Sequence, residues 1–416
     1  MTAASTTFVG KHVRIMMPSH RAFELIETMA PAFEEKTGIR VNFDMPGGID
    51  ILPKYLDSEL SASSGAHDIV MMLMINIGHV IKVGWAADLM PLIRRDSFDL
   101  TDFVPGTLEF YRNNSGLFAL PWLPDAMAIA YRKDLFAQAG IAKFPETFDE
   151  LLELAPQLHK PDVSFFACPN SWHWIWPLFL QSFGGNFFAR PPDDLTPTFI
   201  TAEAIKSAEG MVSLISQFGP PNALDVDIHG AQKIFYLGKV VAELGGMGDL
   251  QQAMGKESRV ADLVAFAHVP KGPAGWFPQL AMQGYMIPSA CKQKDVAWEV
   301  LKWLTSYEVE IAQAMELNHI ACNRFSVLHD PKVRERWTGG ETDVIKILEE
   351  SIGRAQVGYM AYRLVPPFRA VGARVNVAFT NMLRGRAKIK DALEALQQQA
   401  MDILTQAGCL SKTGRA

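Results

Sequence analysis

The sequence predicts an α/β fold in two lobes, each a mainly parallel sheet flanked by helices. Three observations carry this expectation. With 416 residues, the chain exceeds what one hydrophobic core usually organises. Residues 13–75 read as strand, helix, strand, helix, strand, an order that makes neighbouring strands parallel and covers the sheet on both faces. A proline-bearing break at 117–131 then separates this half from a second one with its own strand and helix patterns.

Taken in order, Val13–Met17 is a short apolar run closed by Pro18. Ser19 stands where it can cap a helix reaching Thr37, with Phe23, Ile26, Ala30 and Phe33 on one face. Gly38 stops that helix. Ile39–Phe43 alternates apolar and polar as a strand does, until Pro46, Gly47 and Gly48 break it. A helix over about Asp50–Ser61 and an apolar strand over Ile69–Ile75 follow. In such a sheet, ligands sit beyond the carboxyl ends of the strands. The loops there are Pro18-Ser19-His20, Met45-Pro46-Gly47-Gly48 and Asn76-Ile77-Gly78, which hold small and polar residues.

In the second half, Glu146–His159 opens with Thr147 as N-cap and Glu150 three residues on, the capping-box pattern. Residues 170–188 are the most aromatic stretch, and Val240–Leu244 reads as a strand leading into Gly245-Gly246-Met247. Two helices punctuated by Ser306 are expected over Asp295–Met315. Two more cover Val371–Gln406, separated near Gly385 and ended by Gly408.

Composition narrows the function classes. The formal charge of −6 argues against nucleic acid or an anionic membrane as the main partner. The cations at 363–390 are interleaved with Pro, Phe and Val, as on a solvated helix face. No run approaches the roughly 20 apolar residues of a membrane helix, and residues 1–10 show no signal-peptide pattern. Cys168, Cys291, Cys322 and Cys409 form no CxxC and have no His at metal-ligand spacing, so buried thiols are expected, with a Cys291–Cys322 disulfide as the alternative. No metal or other cofactor is implied.

Several blocks in order resemble the type II extracellular solute-binding proteins of ABC importers, the family 1 group that includes maltose- and trehalose-binding proteins. They are APAFEEKTGIRV at 30–41, LPWLPD at 120–125 with YRKDLF at 131–136 and AGI at 139–141, TFDEL at 147–151, Ala297-Trp298 with LKWLTS at 301–306, and NRFSV at 323–327 before Asp330-Pro331. The resemblance implies the type II periplasmic-binding-protein fold with ligand in the cleft between lobes. It places residues 1–118 and 279–330 in an N-terminal lobe and 119–278 and 331–416 in a C-terminal lobe, with crossovers near 117–125, 270–280 and 325–335. It implies capture of a sugar, polyol or glycoside-type solute by hinge closure, without chemistry on it. The partners it implies are the permease subunits of an importer, and it points to a periplasmic or extracellular monomer.

Two departures bear on the ligand. Many relatives carry a carboxylate soon after the strand that here ends near Leu73, Met74 and Asn76, and a Gly-Gly-Trp motif where this chain has Gln283-Gly284-Tyr285.

A polyhydroxylated solute calls for aromatic faces against its C–H surface and planar polar groups for its hydroxyls. Trp172, Trp174 and Tyr285 are candidates for the first role, and at most one of the two tryptophans is expected to face the solute. Asp125, Gln283, Asn170 and His20 are candidates for the second. Asp125 is the foremost, because the resemblance places a ligand-contacting acid there; capping a turn is its alternative. Ser19, Gly47, Asn76, Gly246 and Gly284 line the loops where backbone can approach a ligand. Arg363, before Pro366-Pro367, suits an anionic group or an ion pair between lobes. The rival classes are a receptor-docking chemosensory protein and a cleft glycosidase using Asp125 with Asp249 or Glu243. No catalytic motif supports the latter.

Overall fold

The structure is a computed structural model that describes residues 8–47, 65–104, 106–113, 115–317, 320, 322–338, 342–355 and 357–411. The expected helix at Asp50–Ser61 and Gly48 lie outside these. The chain forms two compact units. The first comprises Met1–Pro124, Met282–Leu317 and Ala321–Arg336, and the second Asp125–Ala281, Asn318–Ile320 and Trp337–Ala416.

In the first unit, β1 (Lys11–Met16) pairs in parallel with β2 (Ile39–Asp44) and β3 (Ile69–Leu73). The helix α1 (Arg21–Thr37) joins β1 to β2 and buries Phe23, Ile26, Ala30 and Phe33, the apolar face read from the sequence. Gly38 ends it in the left-handed conformation at φ 75°, which a side chain would disfavour. The N-cap is His20 rather than Ser19. His20 Nδ1 accepts from the Ala22 N–H at 3.2 Å, while the Ser19 hydroxyl donates to the Met45 carbonyl at 3.2 Å. A ring nitrogen two residues before the donor serves as well as a hydroxyl.

The expected strand Ile69–Ile75 ends at Leu73, and α2 (Met74–Lys82) begins at once. Asn76, read as a loop residue, therefore sits in the first turn of a helix. The apolar run passes from strand to helix without a break, and so short a run has no period to mark the change.

The segment read as a connecting loop at 120–125 belongs to a strand, β4 (Leu120–Arg132). Pro121 and Pro124 are accommodated because a strand residue whose N–H is not needed by a neighbour can be proline. In the second unit β4 pairs antiparallel with β6 (Val240–Gly246) and β7 (Val264–His268), and β6 runs parallel to β5 (Ser164–Ala167). The strand β8 (Leu280–Met286) returns to the first unit, antiparallel to β3 with Gln283 opposite Leu73.

Helix α3 (Phe148–Leu158) carries both halves of its capping box: Glu150 N–H donates to Thr147 Oγ1 and Thr147 N–H to Glu150 Oε2, each at 3.2 Å. Aromatic side chains dominate the core of the second unit. Trp176 packs against Phe187, Phe199 and Phe379 and donates its indole N–H to Ser207. The four cysteines are free thiols. No helix among the described residues is long and apolar enough to cross a membrane.

Candidate functional site

Three parallel strands of the first unit end at one edge, which gathers Ser19, His20, Gly47 and Asn76 there. Ser19 N–H donates to the Gly47 carbonyl at 2.6 Å, tying two of these loops together. Ser19 and His20 thus spend polar groups on nearby backbone. Asn76 is different: it is buried, and among the described residues its side-chain Nδ2 has no hydrogen-bond partner. Gln283 lies opposite the last residue of β3, equally buried, with Oε1 unpaired among the described residues. A buried amide group left unpaired costs about 1–3 kcal/mol, so this edge holds one donor and one acceptor in want of a partner.

Gly284 and Tyr285 are closely packed. A Cβ on Gly284 would stand 2.8 Å from both the Leu120 carbonyl oxygen and Tyr111 Cζ, so the glycine admits the Tyr111 ring rather than a ligand. Tyr285 is fully buried, its ring 6.0 Å from that of Trp122 and 6.5 Å from that of Phe23. Both are packed by neighbours from remote segments, while the Tyr285 hydroxyl is buried with no hydrogen-bond partner among the described residues.

At the carboxyl ends of β5 and β6 the second unit brings together Asn170, the start of α4 (Trp172–Ser182), Gly246 and Asp125. Asp125 is 4% exposed, and its Oδ1 accepts the Gly248 N–H at 2.7 Å. This carboxyl is pushed well above the usual range, first by burial and then by the nearby charge of Asp249. Glu243 on β6 is raised in the same way by burial and Asp249, and its Oε2 has no partner. Gly246 is required by this arrangement, since a Cβ there would lie 1.8 Å from Asp125 Oδ2.

Asn170 donates its side-chain amide to the Leu224 carbonyl at 2.8 Å and so fastens its loop. Of the two tryptophans, Trp172 is core: its indole N–H donates to Thr380 Oγ1 at 3.2 Å. Trp174 is buried with Nε1 unpaired. Between them, His173 is pulled down to about 4 by burial and by the charge of Arg363.

Arg363 is 3% exposed. Its Nε donates to the Tyr362 hydroxyl at 2.8 Å, which donates to Gln279 Oε1 at 2.7 Å, and Gln279 donates in turn to Gln181 at 2.8 Å. Nη2 has no partner, and among the described residues Arg363 forms no ion pair. The ion-pair alternative is therefore set aside. Sequence reasoning missed Gln279, Tyr362 and Asn376 as supports of this cluster, since nothing local marks residues that meet across such separations. A separate cavity of about 340 Å³ in this unit is lined by His159, Ser164, Ile215, Pro220 and Leu383. It lies at the amino-terminal end of β5, the wrong end for this kind of sheet, and includes none of the candidates.

The bacterial extracellular solute-binding protein family matches residues 18–311 of the chain. A mannitol-binding protein of Pseudomonas aeruginosa is 26% identical over 86% of this chain and 85% of its own. An erythritol/L-threitol-binding protein of Mycolicibacterium smegmatis is 24% identical over 72% of this chain and 67% of its own. The solved structure of an ABC transporter solute-binding protein from Agrobacterium radiobacter in complex with ribitol superposes with a TM-score of 0.83, at 22% identity, covering 95% of this chain and 99% of that one. The family match runs over well more than half of the sequence, and the chain belongs to the bacterial extracellular solute-binding proteins.

Proposed function

We propose that this chain is the solute-binding component of an ABC importer, and that its solute is a polyol or a sugar. The observation that carries the solute class is the set of buried, unpaired hydrogen-bonding atoms at the sheet edges: Asn76 Nδ2 and Gln283 Oε1 in the first unit, Trp174 Nε1 and Arg363 Nη2 in the second. Polar groups left unpaired in an interior await partners, and hydroxyls can serve the donors and the acceptor of either unit. Relatives named for mannitol and for erythritol or L-threitol support the same class. Asp125 acts on the solute through Oδ2 while Oδ1 stays on Gly248, and Ser19, His20, Gly47, Asn170 and Gly246 shape the edges.

In this reading the two units are the lobes, which moves the expected limits at 118/119, 278/279 and 330/331 to 124/125, 281/282 and 336/337. The protein works outside the cytoplasm as a monomer, meets permease subunits, and performs no chemistry on its solute. Asp125 and Glu243 are both buried acids of a single cluster, a poor arrangement for an acid and a base flanking a glycosidic bond. Thermal unfolding across tetritols, pentitols, hexitols and oligosaccharides tests the proposal. A hundredfold excess over Kd adds about 2.7 kcal/mol of stability; a panel that leaves the melting temperature unmoved sinks it. Hinge closure is tested by scattering: the radius of gyration falls with saturating solute, and an unchanged value ends that part.

A further inference from the structure

We propose that His173 presents Nε2 as a fixed hydrogen-bond acceptor at the start of α4, which makes this corner of the second unit select a neutral hydroxyl of the solute over a carboxylate, phosphate or sulfonate. The inference rests on the polyol or sugar reading above and assigns the solute's charge. The backbone N–H of His173 donates to the side chain of Asn376 at 2.9 Å. Only an oxygen can accept there, so the orientation of the Asn376 amide is fixed. The same Oδ1 lies 3.2 Å from His173 Nδ1. Two acceptors cannot face each other at that distance, so Nδ1 carries the proton, and the Ser171 hydroxyl oxygen, 3.3 Å from Nδ1, shares it as a second acceptor. A neutral imidazole has one proton, and Nε2 is left with its lone pair.

The ring is also held in place. A Cβ on Gly372 would stand 3.3–3.4 Å from Cβ, Cγ and Cδ2 of His173, so helix α5 (Phe368–Leu383) covers that side. Asn376 covers Nδ1. The partly exposed edge is therefore the one that carries Nε2, which makes no hydrogen bond among the described residues. The charged group acting on the ring is Arg363, from the turn Ala361–Leu364; α5 brings Asn376 and Gly372, neither of which titrates. Burial and the Arg363 charge both oppose a second proton, so the acceptor persists at neutral pH.

A hydroxyl of the solute donates to Nε2. A carboxylate, sulfonate or phosphate dianion has no proton to give and meets the imidazole lone pair with its own. A bare acceptor in this place thus discriminates against anions.

Calorimetry with D-mannitol, ribitol and D-gluconate tests the inference, together with His173→Asn and His173→Gln. Gln places an amide end where Nε2 stands, and Asn places it only where Nδ1 stands. The wild type is expected to bind a neutral polyol at least about tenfold more tightly than gluconate, with H173N losing about tenfold or more and H173Q staying within about threefold. Melting temperatures of both empty variants control for folding. Gluconate binding as tightly as the polyols, or H173N binding like the wild type, overturns the inference. The tautomer is read without any solute from long-range ¹H–¹⁵N spectra of histidine-labelled protein, assigned by the signals lost in H173N. Should no polyol or sugar bind, the functional reading fails, while the spectrum still decides the assignment: a proton on Nδ1 upholds it and one on Nε2 overturns it.

Discussion

Asp125 Oδ1 accepts the Gly248 N–H at 2.7 Å across 123 residues of sequence, while Oδ2 fills the space that a side chain on Gly246 would need. The first residue of the second unit is thereby fastened to the short helix Met247–Leu250. The carboxyl is at once a clamp and a candidate ligand. Capping, the alternative reading of Asp125, is present in the structure, but on a helix far along the chain instead of on its own turn.

Gly246→Ala should be severely damaging. The new Cβ would stand 1.8 Å from Oδ2 on a short, buried side chain with nowhere to go. Overpacking of this kind costs about 1–3 kcal/mol or more. Denaturant unfolding should show a loss of that size, with weaker polyol binding by calorimetry; wild-type values for both would refute the clash.

Asp125→Asn and Asp125→Ala should part company. Burial and Asp249 already favour the protonated carboxyl, and asparagine keeps an oxygen for Gly248. The Asn variant should melt within a few degrees of wild type. Alanine leaves the buried N–H of Gly248 unpaired and should lose about 1–3 kcal/mol. Equal melting temperatures for the two would show that the clamp contributes nothing.

Glu310 gives the protein a stability term that falls as pH rises. Its carboxylate accepts the N–H groups of Asn323 and Arg324 at 2.9 and 3.1 Å, yet burial raises it to about 7. A folded value above the ordinary 4.5 means that the folded state holds the extra proton between the two. The stabilisation is full below the unfolded value and is lost as pH rises through about 7. The variant Glu310→Gln, which cannot titrate, isolates this term. Wild type should lose on the order of 2–3 kcal/mol relative to the variant as pH rises from about 4 to about 8. Parallel stability curves would exclude Glu310 as the source.

Arg363→Met should separate stability from binding. The guanidinium is buried without a carboxylate, so its removal from the empty protein relieves desolvation and should leave the melting temperature unchanged or raised. Polyol affinity should nevertheless fall at least about tenfold, as expected for a lost hydrogen bond from a charged group. A variant that melts far below wild type would show Arg363 to be structural instead.

The sequence alone determined the features whose physics is local. The face of α1, its stop at Gly38, the box of Thr147 with Glu150 and the Ser306 cap all depend on residues within a few positions, and each stands where periodicity placed it. The order of strands and helices likewise located the carboxyl edges where the candidates collect. Tertiary structure decided the rest. Trp172 and Trp174 are two residues apart, chemically alike and both buried, and it is the first whose indole N–H meets Thr380. Tyr285 is packed by Trp122 and Phe23, and His173 takes its tautomer from Asn376, 203 residues away. A hydrogen bond or a steric clash depends on distances of a few ångströms, and chain spacing does not encode which remote segments come that close.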